Sequence, residues 1–131
     1  MDNCEDADDI LARDCPSRRM LDLLTDKWTV LVIKALAQGS TRFGQLQRRI
    51  GGISPKMLTQ TLRVLERDGL VRRMVYGTMP PVVEYALTTL GMTLVEPVEA
   101  MTRWAQGHLA DVDRARSEYA EAREATLVGS V

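Results

Sequence analysis

Residues 52–71 read GISPKMLTQTLRVLERDGLV and combine the signals of a helix start, an amphipathic helix and a helix end. Ser54 can cap the first turn, and Pro55 suits the first helical position. Asp68–Gly69 supplies a natural stop after thirteen residues. One side of the intervening stretch is apolar, formed by Leu58, Leu62 and Leu65. The stretch therefore predicts a single helix with one buried side and one polar side.

The polar side of this helix carries residue types that can read DNA. Its members follow i, i+3, i+4, i+7 spacing and so share one face: Lys56, Thr59, Gln60 and Arg63. Lysine and arginine can reach guanine or phosphate, glutamine can pair with adenine, and threonine offers a hydroxyl and a methyl group. Ser54 and the free amides of the first turn suit a phosphate. The alternative is an ordinary solvent-exposed face, which is polar in any soluble protein.

Helical patterns precede this segment. Residues 17–38 show helical spacing with a break near Thr25–Asp26, which predicts a short helix followed by a longer one. The apolar positions of that pattern are Met20, Leu21, Leu24, Trp28, Leu31 and Leu36. Ser40–Thr41 is expected to cap a third, short helix, and Gly51–Gly52 to turn the chain. The inward residues of the third helix are expected to be Phe43, Leu46 and Ile50.

A β-hairpin is predicted after the polar-faced helix. The runs Leu70–Tyr76 and Val82–Leu87 are rich in valine and tyrosine, and five residues with two prolines join them. Arg72 and Arg73 open the hairpin and Tyr76 precedes its tip, so a basic wing could grip the DNA backbone or the minor groove. For Tyr76, simple packing within the strand remains an alternative.

The C-terminal third is predicted to be helical. Thr88 or Thr89 can cap a long helix, Pro97 either kinks it or marks its first turn, and a last helical stretch covers roughly residues 111–127. Trp104 is expected in the core rather than at an interface. Near-heptad spacing makes a set of residues candidates for a dimer interface: Leu94, Val98, Met101, Ala105, Val112 and Tyr119. Gly107 and Asp111 argue against one unbroken coil.

The order of these elements, four helices, a hairpin and a closing helix, is that of a winged helix-turn-helix. The fold class is mainly α with a β-hairpin wing, expected to dimerise through its N- and C-terminal helices. The expected divisions are an acidic, flexible arm at residues 1–14, the winged helix-turn-helix domain at 15–105, and a helical extension at 106–131 that contributes to dimerisation.

Charge is distributed unevenly along the chain. Residues 42–76 carry eight lysines and arginines against two acids, whereas residues 1–16 carry six acids against one arginine. Residues 96–131 carry seven acids against four arginines. A basic centre between acidic flanks is the pattern expected when one face meets a polyanion such as nucleic acid.

Composition excludes several classes of protein. The 131 residues fit one domain, and no apolar run approaches the roughly 20 residues that span a bilayer. The acidic start is the opposite of a signal peptide. With two cysteines a disulfide scaffold is not expected either, so a reducing cytoplasm is the expected location. Two cysteines and one histidine are too few for a structural zinc site, and we expect neither metal nor cofactor. An enzyme is not expected, because no phosphate-binding glycine loop, nucleophile elbow or histidine-centred triad is present.

An ordered set of short motifs resembles the HxlR-type regulators, a MarR-related winged-helix family of small bacterial transcription factors. The motifs run from Cys15-Pro16 to Trp104 and cover about residues 15–105. Between these ends lie Asp26-Lys27-Trp28, Arg42-Phe43-Gly44-Gln45-Leu46, GISPKMLT at 52–59, LERDGLV at 65–71 and PPVVEYALT at 80–88. Singly these motifs are modest signals, whereas the ordered set is highly specific.

The resemblance implies a homodimer that binds an inverted-repeat operator in double-stranded DNA with one recognition helix per subunit. Two-fold symmetry would place the half-sites about 34 Å apart. Repression is the favoured mode, since a small dimer on a promoter excludes polymerase without further contacts. We expect no membrane partner.

Several relatives use the cysteine matching Cys15 to sense oxidants or electrophiles, so the resemblance makes a thiol switch plausible. A thiol at a helix N-terminus near Arg18 and Arg19 has its thiolate favoured, although Asp14 opposes this. The alternative is a small buried hydrophobe. Cys4 is a weaker candidate, as a resolving partner.

Two further hypotheses remain open from the sequence. One is a winged-helix module that binds proteins instead of DNA, and the other is a regulator controlled by a small molecule at the dimer seam. Charge at Lys56, Arg63 and the wing favours DNA binding over the first, because interaction modules tend to lose charge on this helix.

Overall fold

A computed structural model describes residues 9–129, with side chains within residues 9–127. Two compact units are present, Met1–Val98 and Glu99–Val131. After a 3-10 turn at Pro16–Arg19, the elements in chain order are α1 (Met20–Leu24), α2 (Lys27–Leu36), β1 (Thr41–Arg42), α3 (Phe43–Arg49), α4 (Pro55–Arg67), β2 (Val71–Tyr76), β3 (Val82–Leu87), α5 (Thr89–Met92) and α6 (Val95–Gly129). This is a winged-helix arrangement, mostly helical with one small sheet, as predicted.

The predicted break between the first two helices is confirmed at Thr25–Asp26. Asp26 caps α2, because its carboxylate accepts hydrogen bonds from the backbone N–H of Trp28 at 2.8 Å and of Thr29 at 3.3 Å. Of the predicted apolar positions of α2, Leu36 is buried and Trp28 and Leu31 are half-buried against the core. The other buried residues of α2 were not in the predicted pattern: Thr29, Val32, Ile33 and Ala35. These additional residues are buried because α2 contacts α1, α3, α4 and β3, which together cover a broad part of its surface.

Met20 and Leu21 on α1 are exposed, although the pattern grouped them with the apolar positions. Helix α1 is only five residues long, so it has too few turns to present a continuous apolar side to α2.

The expected Ser40–Thr41 cap is wrong. Thr41 and Arg42 instead form β1, which pairs antiparallel with β3, so that Thr41 lies opposite Tyr85 and Arg42 opposite Glu84. The hydroxyl of Ser40 donates to the Glu84 carboxylate at 2.9 Å rather than capping a helix. Because the partner strand lies more than forty residues away, no local pattern could indicate this pairing.

Helix α4 follows the prediction closely. The hydroxyl of Ser54 accepts from the backbone N–H of Met57 at 3.0 Å, and Pro55 occupies the first turn. The predicted apolar side is fully buried at Leu58, Leu62 and Leu65. These residues join Leu46, Ile50 and Ile53 in the hydrophobic core, which also confirms two of the three inward residues of α3, while Phe43 is half-buried against that core.

The hairpin forms the larger part of a three-stranded antiparallel sheet with the order β1-β3-β2. Its register runs from Val71 opposite Leu87 to Tyr76 opposite Val82, which leaves residues 77–81 as the tip. Both strands end within one residue of the predicted runs.

The helix predicted after Thr88 or Thr89 is divided into α5 and α6. Thr88 is the cap, and its hydroxyl accepts from the backbone N–H of Gly91 at 3.0 Å. Pro97 lies in the first turn of α6, where its missing N–H costs nothing. The expected interruption at Gly107 and Asp111 is wrong, because α6 continues through both. A helical glycine costs only about 1 kcal/mol, and the surrounding residues are strong helix formers.

The domain boundary expected between residues 105 and 106 lies inside α6, whereas the two compact units divide between 98 and 99. Within residues 9–129, no helix combines the length and apolar character that crossing a membrane requires.

Candidate nucleic-acid interface

Helices α3 and α4 form a helix-turn-helix unit. Residues 50–54 join them, and Gly52 adopts a φ of +85°, which residues with a side chain rarely adopt. Ile50 and Ile53 anchor this turn in the core. Because Ile50 and Ile53 are both buried, the packing of the core determines the direction in which the polar face of α4 points.

The polar face of α4 is accessible as predicted. Lys56, Gln60 and Arg63 are exposed, and Thr59 is half-buried. Ser54 is exposed, and its hydroxyl accepts the capping hydrogen bond while its own proton stays available for donation. The first turn can therefore offer backbone N–H groups and one hydroxyl to an anion.

Arg73 and the polar face of α4 border the same groove. This groove has a volume of about 450 Å³ and is lined by Thr59, Leu62, Arg63, Glu66, Arg73 and Tyr85. The structure thus brings Arg73 of the wing beside Thr59 and Arg63, two of the residues predicted to contact DNA. Glu66 is the acidic residue that lines this groove, and it was not among the predicted site residues.

Arg72 does not line this groove. Side chains alternate along a strand, so Val71 and Arg73 lie on the α4 side of the hairpin, and Arg72, Met74 and Tyr76 lie on the opposite side. Arg72 and Arg73, expected to act together at the start of the hairpin, therefore lie on opposite sides of it, a separation that strand periodicity predicts.

Tyr76 lies at the last rung of the hairpin and is 51% exposed. Its hydroxyl donates to the sulfur of Met74 at 3.4 Å. The side chain therefore lies against its own strand with about half of its surface open to solvent.

A second, larger groove of about 830 Å³ borders the other side of α4. Gln60 lines it together with residues of α1 and the start of α2, including Asp22 and Thr29. The sequence analysis did not identify this groove, because no local pattern relates α1 to α4. Residues of α4 therefore line two separate grooves.

Most lysine and arginine side chains of residues 42–76 are available to a ligand. Arg67 pairs with Asp68 at 3.1 Å, and Arg42 lies 4.0 Å from Glu84. The pKa of Arg67 is raised because its guanidinium donates a hydrogen bond to Asp68 and faces that negative charge. In the part of the chain that the structure describes, no ion pair is formed by Arg48, Arg49, Lys56, Arg63, Arg72 or Arg73.

The dimer-interface candidates occupy two different environments. Val98 is 1% exposed and belongs to the core of the first unit, with Leu94 packed against that core. Met101, Ala105 and Tyr119 are exposed and Val112 is half-buried, all within the second unit. Val98 has no surface left to bury against another molecule, whereas Leu94 keeps some and the exposed members of the second set keep more.

Trp104 is not a core residue in this structure. It is 59% exposed, and its ring stacks on that of His108 with centroids 4.8 Å apart. The prediction is wrong because side chains on neighbouring turns of the same helix cover only part of an indole ring.

Cys15 is 6% exposed and disulfide-bonded. It precedes the 3-10 turn, and its carbonyl accepts from the backbone N–H of Arg18 at 3.0 Å. Cys4, the weaker candidate, lies outside the described residues. Among residues 9–129, no cluster of histidine, cysteine and carboxylate side chains could hold a metal ion.

Comparison with known proteins agrees with this geometry. The family model described as HxlR-like helix-turn-helix matches residues 23–113. The chain is 45% identical over 111 residues to the HTH-type transcriptional regulator YtfH of Escherichia coli K12, covering 85% of this chain and 88% of that one.

Solved structures show the same relationship. The ytfH transcriptional regulator of Salmonella typhimurium has 43% identity and a TM-score of 0.74, covering 81% of this chain and 95% of that one. The redox regulator HypR in its reduced form has 36% identity and a TM-score of 0.70, covering 76% and 98%. With α3 and α4 as its helix-turn-helix and β2 and β3 as its wing, the chain belongs to the HxlR-like helix-turn-helix family of transcriptional regulators.

Proposed function

We propose that the protein is a homodimeric repressor that binds an inverted-repeat operator in double-stranded DNA. In each subunit α4 enters the major groove, where Lys56, Thr59 and Gln60 contact base edges. Arg63 and the first turn at Ser54 contact phosphates. No catalytic activity is part of this proposal.

The observation that carries the proposal is the shared groove of α4 and β2. Thr59, Arg63 and Arg73 border it, and neither arginine forms an ion pair within residues 9–129. Two unpaired cations on neighbouring elements suit successive phosphates along one strand. Arg72 and Tyr76, on the other side of the wing, add attraction and contact area outside this groove.

Dimerisation through α6 is supported by a stripe of residues within the second unit that are exposed except for the half-buried Val112. Five positions share one helical face at spacings of three, four and seven: Met101, Trp104, His108, Val112 and Tyr119. Ala105 lies at the edge of this face. Large apolar side chains on one exposed face favour burial against a second copy, and pairing would double the length of DNA that is read.

Repression is the simplest mode for this architecture. The first unit is occupied by the winged helix and the second by α6, so the two units leave no separate ligand domain in the described residues. A dimer that covers a promoter blocks polymerase by occupancy alone.

Control by oxidation of Cys15 is supported by its position and by the similarity to HypR, a structure named for a redox regulator. Two thiols would lose two protons and two electrons to an oxidant such as diamide, which is reduced to its hydrazine, and would form a disulfide. Because Cys15 is disulfide-bonded in this structure, reduction of that bond would release the constraint on the segment before α1, and α1 packs against α2. A ligand bound at the dimer seam is the alternative form of control.

Fluorescence anisotropy tests DNA binding directly. Labelled duplexes from immediately upstream of the protein's own gene are titrated at several salt concentrations. With three to four phosphates contacted per subunit, log affinity is expected to fall with log salt at a slope of about −5 to −7.

The variant Lys56→Ala/Gln60→Ala should lose this binding, and the matched control Arg103→Ala, an exposed cation on α6, should keep it. Binding that Lys56→Ala/Gln60→Ala leaves intact would exclude α4 as the reading helix.

A further inference from the structure

The tip of the wing is apolar and exposed, a combination that the fold does not require. Residues 74–83, MVYGTMPPVV, carry no charged side chain, although 27% of the whole chain is charged. Met79 is 90% exposed, the highest value for a large apolar side chain among the described residues. Val75 and Tyr76, at the base of the tip, are each about half exposed. This apolar tip contributes nothing to the core.

The tip extends from the cationic groove in a fixed direction. Arg73 borders that groove, and β2 continues for three more residues to Tyr76. At about 3.4 Å per residue the strand advances roughly 10 Å past Arg73, and the five-residue tip extends further. Adjacent major and minor grooves are separated by about half of a 34 Å helical turn. With α4 in the major groove, this span is long enough for Met79 to reach the neighbouring minor groove.

The chemistry of the tip suits base pairs rather than phosphates. The strongest phosphate contacts are made by cations, and residues 77–81 contain none; their one side-chain hydrogen-bond donor is the hydroxyl of Thr78. The tip also carries no carboxylate that phosphates would repel. Unbranched apolar side chains such as methionine can enter between base pairs from the minor groove and unstack them partially.

We propose that Met79 is a minor-groove wedge that enters a base step flanking each half-site. This inference rests on the proposed DNA-binding function and adds a specificity-determining residue to it. Partial unstacking costs least at pyrimidine–purine steps such as TA and CA. The wing would therefore select flexible flanking steps without any hydrogen bond to a base.

The test uses the full-length protein and a duplex that it selects from a random-sequence pool. The base analogue 2-aminopurine is placed at the flanking step, because its fluorescence rises when the base is unstacked. Wild-type protein is expected to raise this fluorescence, and Met79→Ala to abolish the rise and to weaken binding about tenfold. Met79→Leu, which keeps an apolar side chain, should retain most of both effects.

Thr78→Ala is the matched control from the same tip and should behave as wild type. Because Met79 is exposed, the thermal unfolding of Met79→Ala should match wild type, so a lost signal cannot reflect misfolding. Unchanged fluorescence and affinity in Met79→Ala would overturn the wedge while leaving DNA binding intact. A change in sedimentation alone would overturn it in favour of a protein contact. Failure of wild-type protein to select any duplex would overturn both the wedge and the proposed function.

Discussion

Arg63 of α4 and Arg73 of β2 line the same groove, although they belong to different elements and lie ten positions apart in the sequence. Arg72, the immediate neighbour of Arg73, lies on the opposite side of the hairpin. Helix α4 and one face of the wing thus each contribute an arginine to a shared groove, which Arg72 does not line.

This arrangement predicts unequal effects of two adjacent substitutions. Arg73→Ala should weaken DNA binding by about tenfold and reduce the magnitude of the salt slope by about 1, because it removes a phosphate contact beside α4. Arg72→Ala removes the same charge from the other side and should cost much less. Anisotropy titrations at four salt concentrations give both quantities. Equal losses in the two variants would contradict the assignment of sides.

Gly91 is predicted to be irreplaceable for packing reasons. A Cβ built on Gly91 would overlap the carbonyl oxygen of Leu70, a backbone atom that cannot move aside easily. Gly91→Ala should therefore lower the free energy of unfolding by at least about 2–3 kcal/mol. Gly107→Ala is the control, since nothing lies within 4 Å of its Cβ position, and it should stabilise α6 by up to about 1 kcal/mol. Urea denaturation followed by circular dichroism measures both, and a neutral Gly91→Ala would refute the close approach.

Thr88 and Thr89 form a natural pair for testing a helix cap. The Thr88 hydroxyl donates to the carbonyl of Gly69 at 2.6 Å and accepts from the N–H of Gly91, so it joins the end of α4 to the start of α5. Thr88→Ala should cost about 1–2 kcal/mol of unfolding free energy, whereas Thr89→Ala should stay within about 0.5 kcal/mol. Thermal unfolding of both variants distinguishes them, and similar melting temperatures would show that Thr88 is not the cap.

The exposed stripe on α6 is predicted to hold the dimer together. Val112→Lys places a charge in the middle of the stripe and should convert the dimer to monomer at micromolar concentration. Asp113→Lys introduces the same side chain one residue later, on another side of the helix, and should leave the dimer intact. Sedimentation equilibrium measures the association state. A dimeric Val112→Lys would place the interface elsewhere.

Redox control is predicted to depend on Cys15. Diamide should abolish operator binding by wild-type protein, and dithiothreitol should restore it. Cys15→Ser should bind the operator equally well before and after diamide. Anisotropy titrations before and after diamide measure the operator affinity of both proteins. Unchanged affinity of the wild-type protein after diamide would contradict redox control and leave Cys15 a buried structural residue.

The sequence alone determined the features that depend on local physics. The cap at Ser54, the apolar side of α4 and the ends of the hairpin all follow from preferences that act within a few residues, so they could be predicted. The polar face from Lys56 to Arg63 could be predicted for the same reason, because helical periodicity alone places those residues together.

Tertiary structure decided what depends on partners distant in sequence. Pairing with β3 converted the expected Thr41 cap into β1, and contact with three other helices and β3 set the buried side of α2. The groove shared by Arg63 and Arg73 exists only because the hairpin packs against α4. Such contacts join residues through the core, and no local pattern contains the information that positions them.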